Sequence, residues 1–491
     1  MSFLRSELTY CTNVHPGQTV SEIIQNIENY VSRVRKSRAL EEMAAGLWIS
    51  ARAAAELKDP EKQSLFIQAL RGNGLWPTSI NGFPYGGFHE DRVKESVYNP
   101  DWSTAERLDY TLDLARLAAA LLKQAPEPFR KCAISTVPLG FAANWSEVKH
   151  AIALKHLLKA RAVFEQISKE SGLMITLCLE MEPGCVLETT DQVLALWQEL
   201  TALNNQQQSQ AMVDARTSSS LIGEDASIES IPQEQDGSPG LHHLGLCYDI
   251  CHQAVMFEDV KESLEALHTN SIPIYKYQIS SAIEARWPEA MDPGYVVRHE
   301  QLLNRLQGFC DNRYLHQTSI QQCQQGSVEY HLDLDKALER LRSSARLFWK
   351  DQHFAAGMRC RVHYHVPIHL KSLNDGENPE MPKDSETPGP DILRGSQQSA
   401  NTVDSSGLFT TRDAIESALD FLKARPSTPV LEVETYTWTV LPESIRSKYS
   451  DVVGSIGKEL DFLEEALESR GLLEPEMPPP SPANRDPGSR G

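Results

Sequence analysis

Short apolar segments alternate with amphipathic helical segments about eight times along the chain. Each apolar segment has the length of a buried strand, and the segment after it carries apolar residues at helical spacing. This pattern is typical of repeated β-α units around a parallel sheet. We therefore predict an α/β fold, the (β/α)8 or TIM barrel, with strands in segments 8–14, 47–50, 76–83, 133–137, 173–179, 241–252, 272–279 and 430–440.

Further elements are predicted to surround the barrel. The segments 314–318 and 360–370 alternate like strands, and we interpret them as an added hairpin over the carboxyl-terminal mouth. The segment 84–102 is a long loop rich in glycine and aromatic residues. A loop of this length at the functional end is expected to cover a site. A helix over about 443–467 is expected to pack outside the barrel.

Composition divides the chain into parts that are predicted to be ordered and disordered. Segments 204–240 and 371–406 are rich in polar residues, glycine and proline, and they lack the apolar residues of a core. Such segments cannot bury enough apolar surface to fold, so we predict two disordered insertions and a disordered tail over 471–491. The remainder of 1–470 is predicted to form one barrel domain.

Charge and cysteine content narrow the classes of partner and compartment. The chain has 47 Lys and Arg against 67 Asp and Glu, a net charge of -20. This charge opposes binding to a phosphate backbone, so we expect no nucleic-acid partner. The sequence contains no run of about 18 apolar residues and no apolar signal core, which predicts no transmembrane segment. The nine cysteines include no CxxC pair, so we expect a reducing, cytoplasmic location.

Carboxylates are concentrated where predicted strands end. The fifth strand leads to Glu180 and Glu182, two residues apart and therefore on one face, before a Pro-Gly turn. In a barrel of parallel strands, that end is the catalytic face. The stretch alone is also compatible with a pair of solvated carboxylates. Glu432 and Glu434 in the eighth strand have the same spacing.

The sixth predicted strand ends in Asp249 and His252, three residues apart across a strand-to-helix turn. A carboxylate and an imidazole at this spacing can converge on one cation or one substrate, although an N-capping Asp followed by a surface His has the same pattern. Several inward carboxylates must be protonated or compensated, and a divalent cation compensates them at the least cost. The strand ends therefore predict a metal site.

Histidines are concentrated in the predicted hairpin. His363, His365 and His369 alternate on one face, with His316 opposite. Such a set could complete a metal coordination sphere or clamp a polar ligand, and it is also the pattern of a polar outer face. We expect at least one of these four side chains to reach the mouth of the barrel.

The segment EPGCVLET, which begins at Glu182, resembles the fifth-strand motif of the xylose isomerase-like TIM barrels. That superfamily includes sugar isomerases, ketose 3-epimerases and apurinic endonucleases. The resemblance implies that Glu182 is a metal ligand and that Glu188 is a catalytic acid or base beside the substrate. It also implies Asp249 and Glu434 as metal ligands and His252 as a catalytic residue near the substrate. The implied cofactor is a divalent metal ion, with Mn, Mg, Zn and Co all left open.

The seventh strand departs from that superfamily. Where those enzymes have a metal-binding histidine, this chain has Lys276, Tyr277 and Gln278. Either Gln278 or a hairpin histidine substitutes for it, or the metal site is altered. The candidate substrate-binding residues are accordingly Gln278, Lys276, His316, His363, His365, Asn81 and His89.

A narrower resemblance covers most of the chain outside the insertions. The strings LTYCTNVHPG, INGFPYGGFH, VKESVYNPDW, ISTVPLGF, YDICH, YLHQT, VHYHVPIH and LEVETYTW look, in this order, like the EboE family of barrel proteins. That resemblance implies a role in moving or processing a small-molecule metabolite before export, in company with other proteins of the same gene cluster.

Two functions of different class follow. The first is a metal-dependent isomerase or epimerase, in which the ion polarises a hydroxy-carbonyl substrate, such as a sugar or sugar phosphate, while Glu188 and His252 move protons. The second is a binding or escort protein that keeps the pocket without turnover, which the altered seventh strand favours. Metal-assisted hydrolysis or lyase chemistry is a further alternative. An apurinic endonuclease conflicts with the acidic charge.

Overall fold

Two sheets organise the computed structural model of the protein. Their strands are, in chain order, β1 (Thr9–Tyr10), β2 (Met43–Trp48), β3 (Leu75–Asn81), β4 (Lys131–Thr136), β5 (Met174–Glu180), β6 (Leu244–Asp249), β7 (Ile274–Ile279), β8 (Ile283–Arg286), β9 (Thr318–Gln321), β10 (Val328–His331), β11 (Arg359–Val362), β12 (Gly407–Thr410) and β13 (Val430–Val433). The structure describes residues 2–222, 240–288, 294–322, 326–347, 357–374, 406–425, 427–449 and 451–474, without the side chains of 211–222 and 344–347.

The first sheet is parallel and closes into a barrel. Its eight strands pair in the order β1-β13-β7-β6-β5-β4-β3-β2, and a parallel bridge between Cys11 and Gly46 joins the two ends. A closed sheet of eight parallel strands with helices between them is the (β/α)8 barrel. The predicted fold class is therefore confirmed, and each of the eight predicted strand segments overlaps an observed strand.

The second barrel strand begins earlier than predicted, because small residues form its first half. β2 runs over Met43–Trp48 rather than 47–50, through a stretch of Ala and Gly. These residues are poor strand formers. A Cβ atom built at Gly46 would lie 1.9 Å from Glu432 Oε2 and 2.6 Å from the carbonyl oxygen of Tyr10. Neighbouring groups therefore approach β2 so closely at Gly46 that only glycine fits. This packing outweighs the low strand propensity of glycine.

The first and last barrel strands are shorter than predicted. β1 contains only Thr9–Tyr10 before a 3-10 turn, and β13 ends at Val433 before a second 3-10 turn over Thr437–Thr439. In that second turn, the hydroxyl of Thr437 donates to the backbone carbonyl of His365 at 2.5 Å. The chain thus leaves the barrel at this point in order to contact the structure above its mouth.

Helices connect the barrel strands and begin at polar caps. At the first helix, the Thr19 hydroxyl accepts from Glu22 N while the Glu22 carboxylate accepts from Thr19 N, a capping box. Among the described residues, no helix has both the length and the apolar character that a membrane span requires. The α-helices are Val20–Asn26, Ser32–Ser37, Ala51–Glu56, Pro60–Gly72, Ala105–Leu121, Glu147–Ser171, Thr190–Ile222, Ile250–Val255, Val260–Thr269, Tyr295–Gln307, Leu334–Leu347, Arg412–Ala424, Glu443–Arg446 and Val452–Glu468.

An antiparallel sheet takes the place of the predicted hairpin. Its strands pair in the order β10-β9-β11-β8-β12, and the two predicted hairpin segments contribute the neighbours β9 and β11. The prediction of a two-stranded hairpin is wrong in extent, because the short strands β8, β10 and β12 extend it to a five-stranded sheet. The ladder ends at Val362, so His363, His365 and His369 follow β11 and do not alternate along a strand. We call strands β8 to β12 and the adjoining segments 311–317, 332–333 and 363–369 the cap.

The predicted insertions and tail lie partly inside the described ranges. The first insertion begins within a helix that ends at Ile222, past the expected boundary, and its residues 223–239 lie outside the described residues. Most of the second, 375–405, also lies outside them. In the tail, 471–474 are described and pair with the N-terminal segment, whereas 475–491 are not described. The disorder of these segments stays a prediction.

The barrel interior contains a buried ion pair. Lys276 Nζ lies 2.6 Å from Glu432 Oε1, and both side chains are 0% exposed. The ammonium group also donates to Ser135 Oγ at 3.3 Å. Burial alone would lower the pKa of Lys276, but the adjacent Glu432 carboxylate raises it well above its ordinary value. Each charge therefore depends on the other.

We expect Lys276→Met to lower the free energy of unfolding by about 3–5 kcal/mol, because it leaves the Glu432 carboxylate buried without its cation. The double variant Lys276→Met with Glu432→Gln should recover much of that loss, since it removes both charges. Urea denaturation of the three proteins measures this. If Lys276→Met leaves stability unchanged and instead weakens metabolite binding, Lys276 acts as the substrate-binding residue that the sequence suggested.

A buried carboxyl group ties the last helix to the barrel. Glu459 Oε1 accepts from the Thr435 hydroxyl at 2.6 Å and from the backbone N–H of Ile368 at 3.1 Å. Burial raises the pKa of Glu459 from 4.5 to about 8. Between these values the folded protein keeps a proton that the unfolded chain releases, so unfolding becomes easier as the pH rises from about 4.5 to about 8.

We expect Glu459→Gln to raise the melting temperature at pH 8 and to leave it nearly unchanged at pH 5. Glutamine keeps the accepting oxygen and carries no proton to lose, and one pKa unit corresponds to about 1.4 kcal/mol. Glu468→Gln, on the exposed face of the same helix, is the control and should have no pH-dependent effect. Equal effects of Glu459→Gln at the two pH values would show that the carboxyl group is ionised in the folded protein.

Candidate functional site

A cavity of about 60 Å³ lies between the barrel mouth and the cap. The loop 84–102, which was expected to cover a site, supplies Phe88, Lys94 and Tyr98 to its wall. Lys94 Nζ lies 2.5 Å from Asp333 Oδ2, so an ion pair joins this loop to the cap. The polar residues that line the cavity are Asn13, Asn81, Lys94, Glu180, Glu182, His252, His363, His365 and Glu434.

Three imidazoles meet at one side of this cavity. His252 stands in the short helix after β6, whereas His363 and His365 come from the cap. The Nε2 atom of His363 lies 3.1 Å from Nε2 of His252 and 3.2 Å from Nε2 of His365. The same ring nitrogen of each histidine therefore points to a common centre.

The opposite nitrogen of each ring has a fixed acceptor. Nδ1 of His252 lies 2.9 Å from the Met181 carbonyl, and Nδ1 of His365 lies 3.0 Å from the Glu434 carbonyl. Nδ1 of His363 lies 2.7 Å from the amide oxygen of Gln317. Because carbonyl oxygens only accept, the hydrogen of each neutral ring is on Nδ1. All three Nε2 atoms then carry lone pairs.

Neighbouring groups change the pKa values of these rings in opposite directions. Burial, with the nearby His252 and His365, holds the pKa of His363 well below its ordinary value. Burial alone would also lower the pKa of His252, but the carboxylates of Asp249 and Glu182 raise it. A positive charge at this centre is therefore most stable on the side of His252, where the carboxylates lie.

Asp249 faces the three rings from the end of β6. Its Oδ1 accepts from the Ser280 hydroxyl at 2.7 Å and from the backbone N–H of His252 at 3.1 Å, so it caps the following helix. Its Oδ2 is buried and has no hydrogen-bond partner among the described residues. Oδ2 lies 3.7 Å from Nε2 of His252 and 3.9 Å from Nε2 of His365. The capping role and a ligand role are thus compatible in one side chain.

Glu182 is held by two side chains that the sequence analysis did not identify. Its Oε1 accepts from the Tyr98 hydroxyl at 2.7 Å and from the Gln317 amide at 3.1 Å. Burial raises the pKa of Glu182. The same Gln317 side chain accepts from His363, so a continuous series of contacts joins Glu182 to that ring.

Glu180 and Glu434 line the cavity from β5 and from the end of β13. Burial, followed by the charge of Glu434, raises the pKa of Glu180 to about 8, so this carboxyl group holds a proton at neutral pH. Glu434 Oε1 accepts from the side-chain amides of Asn13 at 2.6 Å and Asn81 at 3.3 Å. The candidate residue Asn81 therefore contacts Glu434 at the wall of the cavity.

Three groups of side chains in the described residues place potential ligand atoms within 4.8 Å of one another. Glu434 belongs to none of them. Imidazole nitrogen and carboxylate oxygen are the donors that Zn and related ions bind in proteins, so the composition of these groups fits a divalent ion. The groups are Asp249 with His252 and His365, Glu182 with His252 and His363, and Cys251 with His363 and His365.

Glu188 and His316 do not line the cavity. The Glu188 carboxylate accepts from the backbone N–H of Gly184 at 2.9 Å and so closes its own turn. His316 Nδ1 donates to the His363 carbonyl, and its other nitrogen contacts the Asp311 carboxylate. Both side chains are therefore occupied in supporting the backbone around the site.

Lys276, Gln278 and His89 also lie outside the cavity lining. Lys276 pairs with Glu432 deeper in the barrel. Gln278 is fully buried, and its Nε2 has no hydrogen-bond partner among the described residues. His89 Nε2 lies 2.7 Å from the Asn13 carbonyl, outside the mouth.

The sequence analysis did not identify Gln317, Tyr98 and Asn13, and the reason is the same for all three. Tyr98 and Asn13 lie in short 3-10 turns and Gln317 lies directly before β9, where the direction of a side chain depends on tertiary packing. Gln317 is the neighbour of the candidate His316, and adjacent residues of an extended chain face opposite sides. If the assumed alternation of side chains is shifted by one residue, Gln317 faces the site in place of His316. The signal for Gln317 was its polar side chain in an otherwise buried segment.

Comparisons with known proteins give similarity in shape only. No protein-family model matches the sequence, and no curated protein does. The probable 3-DHS dehydratase AsbF from Bacillus anthracis is 16% identical, with 70% of this chain and 90% of that chain covered and a TM-score of 0.31. A xylose isomerase-like TIM barrel protein from Mycobacterium smegmatis in complex with magnesium is 11% identical, with 69% and 95% covered and a TM-score of 0.35. The IOLI protein with a bound zinc atom is 12% identical, with 60% and 76% covered and a TM-score of 0.30.

Proposed function

We propose that the protein binds a small hydroxylated metabolite at a divalent metal ion in the barrel mouth. In this proposal it takes part in the traffic or processing of that metabolite before export, together with other proteins of its gene cluster, as the resemblance to the EboE family implies. The observation that carries the proposal is the unpartnered, buried Oδ2 of Asp249 opposite imidazole nitrogens that carry lone pairs. Groups of this kind are stable together only around a cation or a proton.

The residues around the cavity suit a polar small molecule. Asn13 offers an amide oxygen that has no hydrogen-bond partner among the described residues, and Glu180 can donate a hydrogen bond because its raised pKa of about 8 favours the protonated form at neutral pH. The only cation in the described lining, Lys94, is paired with Asp333. A bound ion would act as a Lewis acid on a carbonyl or hydroxyl oxygen.

A metal-dependent isomerase or epimerase is the second candidate function. It is favoured by Glu180, whose pKa of about 8 allows a buried carboxyl group to accept and return a proton near neutral pH. Glu188, which the resemblance implies as the acid or base, accepts from Gly184 N and does not line the cavity. In this second function Glu180 would hold the proton, while Asn13 and Asn81 orient the substrate.

We expect purified protein to contain a divalent ion and Glu182→Gln to bind it about 10-fold more weakly. Glutamine keeps the shape of the side chain, removes one charge and disturbs the contact of Gln317 with His363, and changes around metal ligands weaken affinity by about 10- to 100-fold. Elemental analysis and competition with a chelator measure this. Glu170→Gln, an exposed change of the same charge, should have no effect. A protein that contains no metal and binds none of Mn, Mg, Zn and Co would contradict the proposal.

The same preparations separate the two candidate functions. Metal-loaded and chelator-treated protein are each incubated with extract, recovered by ultrafiltration and analysed for retained small molecules. We expect a hydroxylated compound to be enriched on the metal-loaded protein only. An escort protein releases that compound unchanged, whereas an isomerase or epimerase converts it to a second compound of the same mass, which NMR detects.

A further inference from the structure

We propose that the ion is held by three imidazoles and one carboxylate: the Nε2 atoms of His252, His363 and His365, and Oδ2 of Asp249. This inference rests on the proposed function, in which the mouth holds a divalent ion, and it specifies the ligands and the class of metal. The ligand set differs from the carboxylate-rich set that the fifth-, sixth- and eighth-strand motifs suggested.

The first argument is the direction of the lone pairs. Each Nδ1 atom faces an oxygen that accepts its hydrogen, so in the neutral rings each Nε2 faces the centre without one. Nitrogen lone pairs that face one another at 3.1 and 3.2 Å repel unless a positive charge lies between them. Histidine ligands in metal sites are oriented in this way, by an oxygen acceptor on the nitrogen that does not bind the ion.

The second argument is distance. Zinc–nitrogen bonds of about 2.0–2.1 Å at tetrahedral angles place two imidazole nitrogens about 3.3–3.4 Å apart. The two separations at His363, 3.1 and 3.2 Å, are close to these values. Asp249, His252 and His365 have ligand atoms within 4.8 Å of one another and His363 is not in that group, so a bound ion must draw the rings and the carboxylate together.

Asp249 supplies the fourth ligand. Ser280 and the backbone N–H of His252 fix Oδ1, so Oδ2 points toward the rings from the barrel side. Its distances to two of the Nε2 atoms, 3.7 and 3.9 Å, are slightly longer than those between the rings. Cys251 is a competing ligand, because its sulfur lies within 4.8 Å of ligand atoms of His363 and His365.

We do not assign Glu182 and Glu434 as ligands, because each has an oxygen close to an Nδ1 atom, although Glu182 is a competing ligand through its group with His252 and His363. Glu182 Oε1 lies 3.7 Å from Nδ1 of His363, and Glu434 Oε2 lies 3.6 Å from Nδ1 of His365. Both carboxylates thus lie on the side of the ring that carries the hydrogen, and both have amide or hydroxyl donors of their own. They strengthen the rings as electron donors without binding the ion.

The donor set selects the metal. Imidazole nitrogen suits Zn²⁺ and Co²⁺, whereas Mg²⁺ and Mn²⁺ favour carboxylate, carbonyl and water oxygens. Three nitrogens and one oxygen therefore favour the first pair. Because His252 and Asp249 belong to the barrel and His363 and His365 belong to the cap, the ion also joins these two parts of the protein.

The first test uses the unmodified protein and requires no variant to fold. Metal-free protein is dialysed against equimolar Zn²⁺, Co²⁺, Mn²⁺ and Mg²⁺, and the bound metals are counted. We expect about one equivalent of Zn²⁺ or Co²⁺ and at least about 100-fold less Mg²⁺ and Mn²⁺. The Co²⁺ form should show the intense visible absorption of a four-coordinate ion. A thiolate-to-cobalt charge-transfer band would replace Asp249 with Cys251 as the fourth ligand and overturn that assignment.

The second test compares variants by zinc affinity and by the rise in melting temperature on addition of Zn²⁺. We expect His252→Asn, His363→Asn and His365→Asn each to weaken zinc binding by at least about 100-fold, whereas Glu434→Gln should weaken it by about 10-fold. His369→Asn is the matched control, because His369 lies in the same cap segment and contacts Tyr449 instead.

The outcomes separate this inference from the proposed function. If Glu182→Gln and Glu434→Gln abolish metal binding and the histidine variants retain it, the carboxylate set holds the ion and the three-imidazole centre is wrong, while the proposed function stands. If the protein prefers Mn²⁺ or Mg²⁺ in the dialysis, the three-imidazole centre is likewise wrong and the proposed function stands. If the unmodified protein binds no divalent ion, the proposed function fails, and the three-imidazole centre fails with it.

Discussion

Ionisable groups at the barrel mouth are buried, and each therefore needs a partner of opposite charge, a hydrogen-bond donor or a proton. Glu182 and Glu434 have hydroxyl and amide donors, and Glu180 keeps a proton. Within the described part of the chain, Asp249 Oδ2 and the three imidazole lone pairs have only one another. This requirement determines how the cap and the strand ends can be arranged.

The cap and the barrel orient each other through the histidines. The cap residue His365 donates to the carbonyl of the barrel residue Glu434, and the barrel residue Glu182 accepts from the cap residue Gln317. His365 is thus oriented by the barrel, whereas the acceptors of His252 and His363, Met181 and Gln317, lie in the same part of the protein as the ring they fix. The site consequently belongs to the interface between two sheets, and its geometry depends on how firmly they pack.

The barrel could be predicted from the sequence because its signal is local. Apolar strands and amphipathic helices alternate within units of a few tens of residues, and the positions of β5, β6 and β13 in the chain follow from that alternation. The prediction of the barrel is in error where packing outweighs local preference, as at Gly46, where the neighbouring Glu432 leaves no room for a side chain. The cap could not be predicted as a sheet, because its strands are four residues long and, apart from the neighbours β9 and β10, lie far apart in the chain.

The candidate site was predictable in composition and less so in arrangement. Strand-end carboxylates and the DxxH spacing indicated Glu182, His252 and Glu434, and these three residues line the cavity. Which nitrogen of a ring faces inward, and whether His316 or Gln317 does, depends on contacts between residues more than 100 positions apart, such as His252 with His363. No local pattern carries that information.

Hydrogen bonds at the edge of the cap hold together the two ends of the chain region between Asn374 and β12. Leu373 N donates to the Leu408 carbonyl, and the Asn374 side chain accepts from Leu408 N and from Arg305. The chain thus enters and leaves the region between Asn374 and β12 at one fixed point of the sheet. Doubling the length of a flexible loop costs only about 0.6 kcal/mol once its ends are held together. Evolution can therefore lengthen or shorten this region without moving the histidines, which makes it a natural position for inserting a new segment.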